Sequence, residues 1–259
     1  MIDLHSHVLP GLDDGARDIE ESLEMARAAA ADGTIVLAAT PHVREDYPTP
    51  AAAMERAVAD LRARLDAAGI QLQIVTGGEL AIEQLTRLPQ GELGRFGLAG
   101  NPHYVLLEFP YHGWPLELDQ RVFDLHMDGV TPVLAHPERN SVVQSDPERL
   151  ASLVNGGALV QLTAASVDGR LSRASSKCAF RLLELGLAHL IASDAHAPDV
   201  RSIGLRSAAD ALRDDRLARW LTVEVPTAIL NDTPIPDPPM RAPRSRGWMR
   251  RRRTPIRRR

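Results

Sequence analysis

The chain has 259 residues, of which 44% are hydrophobic and 25% charged, enough for one barrel-sized domain with a substantial core. Its single cysteine, Cys178, excludes an internal disulfide. No apolar stretch approaches the ~20 residues that span a bilayer, and MIDLHSHVLP carries no basic-then-apolar leader, so a cytoplasmic location is expected. The formal charge of −4 conceals a division, because residues 240–259 hold ten arginines and no acid, leaving 20 basic against 34 acidic side chains in the rest, a balance of −14.

Strand-like apolar runs occur at residues 2–7, 35–40, 72–76, 104–109, 131–135, 159–163 and 189–192, separated by helix-sized stretches. Asp18 with Glu21 has capping-box spacing, and Thr49 before Pro50 predicts the start of a second helix. That helix carries Met54, Val58, Leu61 and Leu65 on one apolar face, and Gly69 ends it. Cys178 falls in the helical run SSKCAFRLLE and is read as a buried packing residue rather than a nucleophile. Seven strands joined by crossovers predict an α/β fold, a TIM-like barrel of seven βα units with the eighth missing or irregular. The absence of a glycine-rich fingerprint after any strand argues against nucleotide binding. A barrel over residues 1–232 is then followed by a Pro/Arg-rich extension, 233–259, too polar and proline-rich to pack. With Trp248 and Met249 beside four arginines, this tail suits an anionic membrane surface, nucleic acid or an acidic partner, or none of these.

The chemistry gathers at the strand ends. His5 and His7 are two apart on a strand, so both imidazoles face one side. The second run leads to His42, the third to Glu79, the fourth to Glu108, the fifth to His136, and the seventh to Asp194 and His196; Asp14 follows the first. Nine imidazoles and carboxylates at one barrel mouth would be costly without cations, and they are too many for one ion, so two or three bridged ions are expected. An all-N/O donor set suits Mn, with Fe or Zn as substitutes. Such clusters activate a hydroxide and neutralise phosphate oxygens in phosphoester hydrolysis. Arg139, three residues after His136, and Arg201, five after His196, are placed to grip the phosphate. Arg44 and Tyr47, after His42, are candidate substrate contacts but are read first as ordinary surface-loop residues.

The motifs HSHVLPGLDDG, AATPH, GGE, LLEFP, AHPERN and ASDAH resemble the bacterial metal-dependent protein tyrosine phosphatases of the polymerase-and-histidinol-phosphatase (PHP) superfamily, the type that accompanies capsule and exopolysaccharide synthesis. The resemblance covers residues 1 to about 232. It implies a distorted PHP-type (β/α)7 barrel, a trinuclear centre usually active with Mn2+, and dephosphorylation of an autophosphorylating bacterial tyrosine kinase. Carried over by position, one ion takes His5, His7, Glu79 and Asp194; a second Glu79, Glu108 and His136; a third Asp14, His42 and His196. It chooses Asp14 over its neighbour Asp13, and it puts Arg139 and Arg201 on the phosphate. Leu171 and Ser172 stand where such proteins tend to carry an aromatic and a glycine. Two other readings stay open: a histidinol-phosphate or other small phosphomonoester phosphatase on a related barrel, and a non-catalytic phosphoprotein-binding module. Homo-oligomerisation, which occurs in such proteins, is a further expectation.

Overall fold

The computed structural model describes residues 1–89, 91–197 and 203–239. Arg201 and the arginine-rich stretch 240–259 lie outside the described residues. Nine strands are formed among the described residues: β1 (Ile2–Asp3), β2 (Val36–Ala39), β3 (His42–Val43), β4 (Gln73–Thr76), β5 (Glu79–Ala81), β6 (Tyr104–Glu108), β7 (Thr131–Ala135), β8 (Leu159–Thr163) and β9 (Leu190–Ala192). Every ladder is parallel, in the orders β1-β2-β4 and β3-β5-β6-β7-β8-β9.

Nine strands replace the predicted seven because two of the runs break and resume. Pro41 has no N–H to continue the ladder, so β2 stops at Ala39 and the chain restarts as β3 at His42. Between β4 and β5 the break falls at Gly77 and Gly78, where the Phe96 ring presses in; a Cβ on Gly78 would lie 2.7 Å from Phe96 Cδ1, and Gly78 N–H donates to Phe96 O. These breaks split the wall into two levels. At the level of the strand N-termini, β4 and β6 are not laddered, and the short turn Leu98–Gly100 packs against both. At the C-terminal level the ring closes: Asp194 N donates to His5 O, His7 N to Ala195 O, and Thr40 N to Ser6 O, each at 2.9 Å. The predicted first strand, 2–7, thus serves as β1 below and as the closing link above.

The surrounding helices follow their sequence signals with two differences. Helix Ile19–Asp32 starts on Asp18, whose carboxylate accepts from Glu21 N, and ends on Gly33 at φ 94°. Glu21 turns its own carboxylate to Arg17 N rather than back to Asp18, so only half the capping box forms. Helix Ala51–Ala67 buries Met54, Val58, Leu61 and Leu65 as predicted, but Pro50 is its cap and the Thr49 hydroxyl plays no capping part. Cys178 is buried in helix Arg173–Leu185, and burial pushes its thiol up to about 12, which leaves it inert as a nucleophile. Past Asp232 no helix or strand forms as far as 239, yet Trp220 Nε1 donates to Pro236 O and Ile235 packs on the core, so packing extends a few residues beyond the expected boundary. No helix among the described residues is long and apolar enough to cross a membrane.

Candidate metal centre

All nine predicted side chains converge at the closed end of the barrel. Glu79, at the start of β5, is fully buried and central: its Oε2 lies 3.0 Å from His42 Nδ1, 3.3 Å from His5 Nε2 and 3.4 Å from His7 Nε2, and its Oε1 lies 2.9 Å from His136 Nε2. His5 Nε2 and His7 Nε2 are 3.2 Å apart, and Asp194 Oδ1 is 3.6 Å from each. Asp14 Oδ1 sits 3.4 Å from both His42 Nε2 and His196 Nε2, with its side chain 40% exposed, so this group opens to solvent while the others are sealed. Glu108 reaches toward His42 at 3.8 Å and has its other oxygen on Arg44 at 2.8 Å.

Four sets of potential ligand atoms lie within 4.8 Å of one another: His7, Asp14, His42 and His196; His5, Glu79 and His136; His5, His7 and Asp194; and His42, Glu79 and Glu108. They overlap the three expected groups with altered membership: His7 also joins Asp14, His42 and His196, and His5 joins Glu79 and His136. Glu108 falls in with His42, not with His136.

The donor set fits cations. His7 Nδ1 donates to Asp13 Oδ2 at 2.7 Å, and His5 Nδ1 pairs with Gln161 Oε1 at 2.9 Å, which leaves both Nε2 lone pairs facing each other and two carboxylates. Glu79 Oε2, His42 Nδ1 and His136 Nδ1 are buried without a well-aligned hydrogen bond. The electrostatics agree. Burial alone would keep Glu79 neutral, yet the neighbouring His5, the hydrogen-bonded His136 and the close His42 hold it well below the usual carboxylate range. Burial lowers His42, but Asp14 and Glu79 outweigh it and push it up to about 9. Around Glu108 the balance reverses: burial and the neighbouring Glu79 carboxylate raise it. The buried carboxylates that draw protons onto these imidazoles would equally draw metal ions, which displace those protons.

Local backbone positions the ligands at a cost. His136 and Asp194 take φ of 38° and 51°, the left-handed region that non-glycine residues avoid, at a cost of roughly 1–3 kcal/mol each. Gly15 is required differently: a Cβ there would lie 2.1 Å from His7 O, so only glycine lets the Asp13–Asp14 turn fold back over His7.

Arg139 is at the cluster, its Nη1 donating to Asp194 Oδ2 at 2.7 Å and its guanidinium lying 4.5 Å over the Tyr111 ring. Arg201 cannot be placed, being outside the described residues. Arg44 and Tyr47 overturn their reading as ordinary loop residues. Arg44 holds Glu108, and Tyr47 stacks on His42 at 5.9 Å. Tyr111, which sequence reasoning missed, stacks on His136 at 5.9 Å. Gln161 was missed as well, although a lone amide inside the buried run LVQLT was the signal for it. Asp13 is a neighbour of the donors and not one of them: it orients His7 and accepts from His42 N and Gly15 N. Ser172 caps helix Arg173–Leu185, so its departure from the expected glycine has a structural use.

Residues 1–231 match the family model described as capsular polysaccharide synthesis, CpsB/CapC. The chain belongs to the CpsB/CapC family. Among curated relatives, this CpsB/CapC chain is 35% identical to the tyrosine-protein phosphatase YwqE of Bacillus subtilis (strain 168) over 243 residues, 92% of this chain and 95% of that one. It is 30% identical to the putative tyrosine-protein phosphatase CapC of Staphylococcus aureus over 200 residues, 76% and 77% of the two chains. It also superposes with a TM-score of 0.83, at 34% identity and over 93% of this chain and 100% of the other, on a solved structure from work on YwqE of Bacillus subtilis and CpsB of Streptococcus pneumoniae, described as unique metal-dependent tyrosine phosphatases. The parallel α/β barrel is therefore that of the CpsB/CapC family, and a metal-binding role for the His/Asp/Glu clusters accords with the relatives' metal dependence.

Proposed function

We propose that this CpsB/CapC chain hydrolyses phosphotyrosine in protein, with a bacterial tyrosine kinase of capsule or exopolysaccharide synthesis as its substrate. The observation that carries the reading is the joining of an aromatic ring to the ligand cluster: Tyr111 stacks on His136, has the Arg139 guanidinium 4.5 Å from its centroid, and is 40% exposed. An aryl phosphate delivered there meets a ring for its phenyl group and a planar cation for its phosphoryl oxygens. His5, His7, Asp194 and Glu79 would hold one ion, Glu79, Glu108 and His136 a second, and Asp14, His42 and His196 a third; the N/O donors favour Mn2+, with Fe or Zn able to substitute. When bound, these cations supply charge neutralisation for the phosphoryl oxygens and activation of water. Arg139, fixed by Asp194, orients the phosphate, while Asp13 and Gln161 hold His7 and His5 with their Nε2 atoms inward. A phenol leaves with a pKa near 10, so it needs less help from a proton donor than an alkoxide does.

A histidinol-phosphate phosphatase is the competing enzyme, and a phosphoprotein-binding module the competing non-enzyme. Metal-reconstituted protein is expected to turn over a phosphotyrosine peptide at least tenfold faster, in kcat/KM, than histidinol phosphate. The reverse order sinks the proposal, and phosphate release from neither substrate supports the binding module.

We place the reaction on the cytoplasmic side of the membrane, with the ten arginines of residues 240–259 attracted to anionic lipid. Deleting those residues is expected to abolish binding to phosphatidylserine vesicles at low salt and to leave phenyl phosphate hydrolysis intact. Vesicle binding that survives the deletion refutes the membrane role.

A further inference from the structure

A groove of about 810 Å³ leads off the cluster. It begins at Glu108 and Arg44, which are joined at 2.8 Å, and at Tyr111, and it runs along the loops that follow β3, β5 and β6. These are adjacent segments of the same barrel mouth. Its size is in the upper part of the roughly 300–1,000 Å³ that holds a drug-sized ligand, far more than one phenyl ring fills. Ala81, Ile82, Pro110, Pro115 and Leu116 give it an apolar lining. Leu116 is 99% exposed, which a lone surface leucine tolerates, but here it stands beside Ile82, Pro115 and Tyr111 as part of one patch.

The rim is charged and unbalanced. Apart from the metal ligand Glu108, Asp46, Glu83 and Glu117 face two guanidiniums, a balance of −1. Arg44 is held by Glu108 and Asp46, and Arg121 by Glu117 at 2.7 Å, so neither cation is presented to an incoming acid. The field along the groove therefore repels acidic chain and favours neutral or basic chain.

Building on the phosphatase reading above, we propose that this groove seats the polypeptide flanking the phosphotyrosine and selects apolar, neutral-to-basic flanks over acidic ones. The occupant is an extended segment of a substrate protein, its phosphotyrosine at the cluster and a neighbouring apolar side chain against Leu116 and Ile82. The selectivity then lies in KM for peptides, not in the chemical step.

The test compares kcat/KM for two phosphotyrosine peptides, one with leucine and lysine flanks and one with glutamate flanks, against phenyl phosphate, all with Mn-loaded full-length protein. Wild type is expected to prefer the first peptide at least fivefold. Leu116→Ser, at a position whose exposure removes any risk to folding, is expected to lower the ratio of leucine-peptide to phenyl-phosphate kcat/KM at least fivefold through KM. Glu83→Lys is expected to cut the preference between the two peptides at least threefold at low salt, and less at high salt. Ratios that stay within twofold in both variants overturn the groove assignment while phenyl phosphate turnover leaves the phosphatase reading standing. A change in solution mass of Leu116→Ser without a change in ratio makes the groove an interface between copies of the chain, and also overturns it. No turnover of any substrate by wild type fails the underlying reading and the groove together.

Discussion

Glu79→Gln is expected to reduce phenyl phosphate turnover by at least about a thousandfold, equivalent to ~4 kcal/mol of transition-state stabilisation, and to release bound metal. No other carboxylate among the described residues is so placed: its two oxygens lie within 3.4 Å of His5, His7, His42 and His136. The amide removes one buried negative charge and turns N–H groups toward nitrogens that carry lone pairs. Asp13→Asn provides the contrast. That carboxylate touches His7 Nδ1 and two backbone N–H groups but none of the inward-facing donors, so a loss of about 10–100-fold is expected. Steady-state rates, metal content by mass spectrometry and circular dichroism of both variants check the pair. A Glu79→Gln protein that keeps its metal and more than a tenth of its turnover would remove Glu79 from the centre of the site.

Chelation is expected to have the second large effect, on stability as much as on rate. Exhaustive dialysis against EDTA should abolish hydrolysis and lower the Tm by about 5–15 °C, because ions present at 100 to 1,000 times their Kd stabilise the folded chain by about 3–4 kcal/mol. The direction follows from the pocket. Glu79 Oε2, His42 Nδ1 and His136 Nδ1 are buried without a well-aligned hydrogen bond, so withdrawing cations leaves buried polar atoms uncompensated. Calorimetry before and after adding back Mn2+, Zn2+ or Fe2+ reads the loss and ranks the metals. An unchanged Tm, with full activity in chelator, contradicts a metal centre of any nuclearity.

The site was legible in the sequence to the extent that it sits on strand ends. His5 and His7 point together because a strand repeats every two residues, and Glu108, His136 and Asp194 each follow an apolar run long enough to identify. What the sequence concealed are groups whose roles depend on packing between distant segments. Gln161 looked like one polar residue in an apolar strand until β8 brought it to His5, 156 positions away. Asp13 and Asp14 could be told apart only by the direction each side chain takes, one under His7 and the other between His42 and His196. Tyr47 and Tyr111 come from loops, whose paths no periodicity describes, and both ended against imidazoles. In the fold, the breaks at Pro41 and Gly77–Gly78 were visible as residues, but their outcome depended on Phe96 and on Ser6 arriving from elsewhere.

The link between the first strand and the last has a consequence for how the enzyme comes into being. His5 and His7 precede Asp194 and His196 by 189 residues in the chain. The backbone bonds from Asp194 to His5 and from His7 to Ala195 are thus among the most non-local in the molecule, the kind that form late in folding. A nascent or truncated chain ending before residue 194 holds the early imidazoles but cannot close the ring around an ion. The complete donor set therefore assembles only when the last strand closes the barrel.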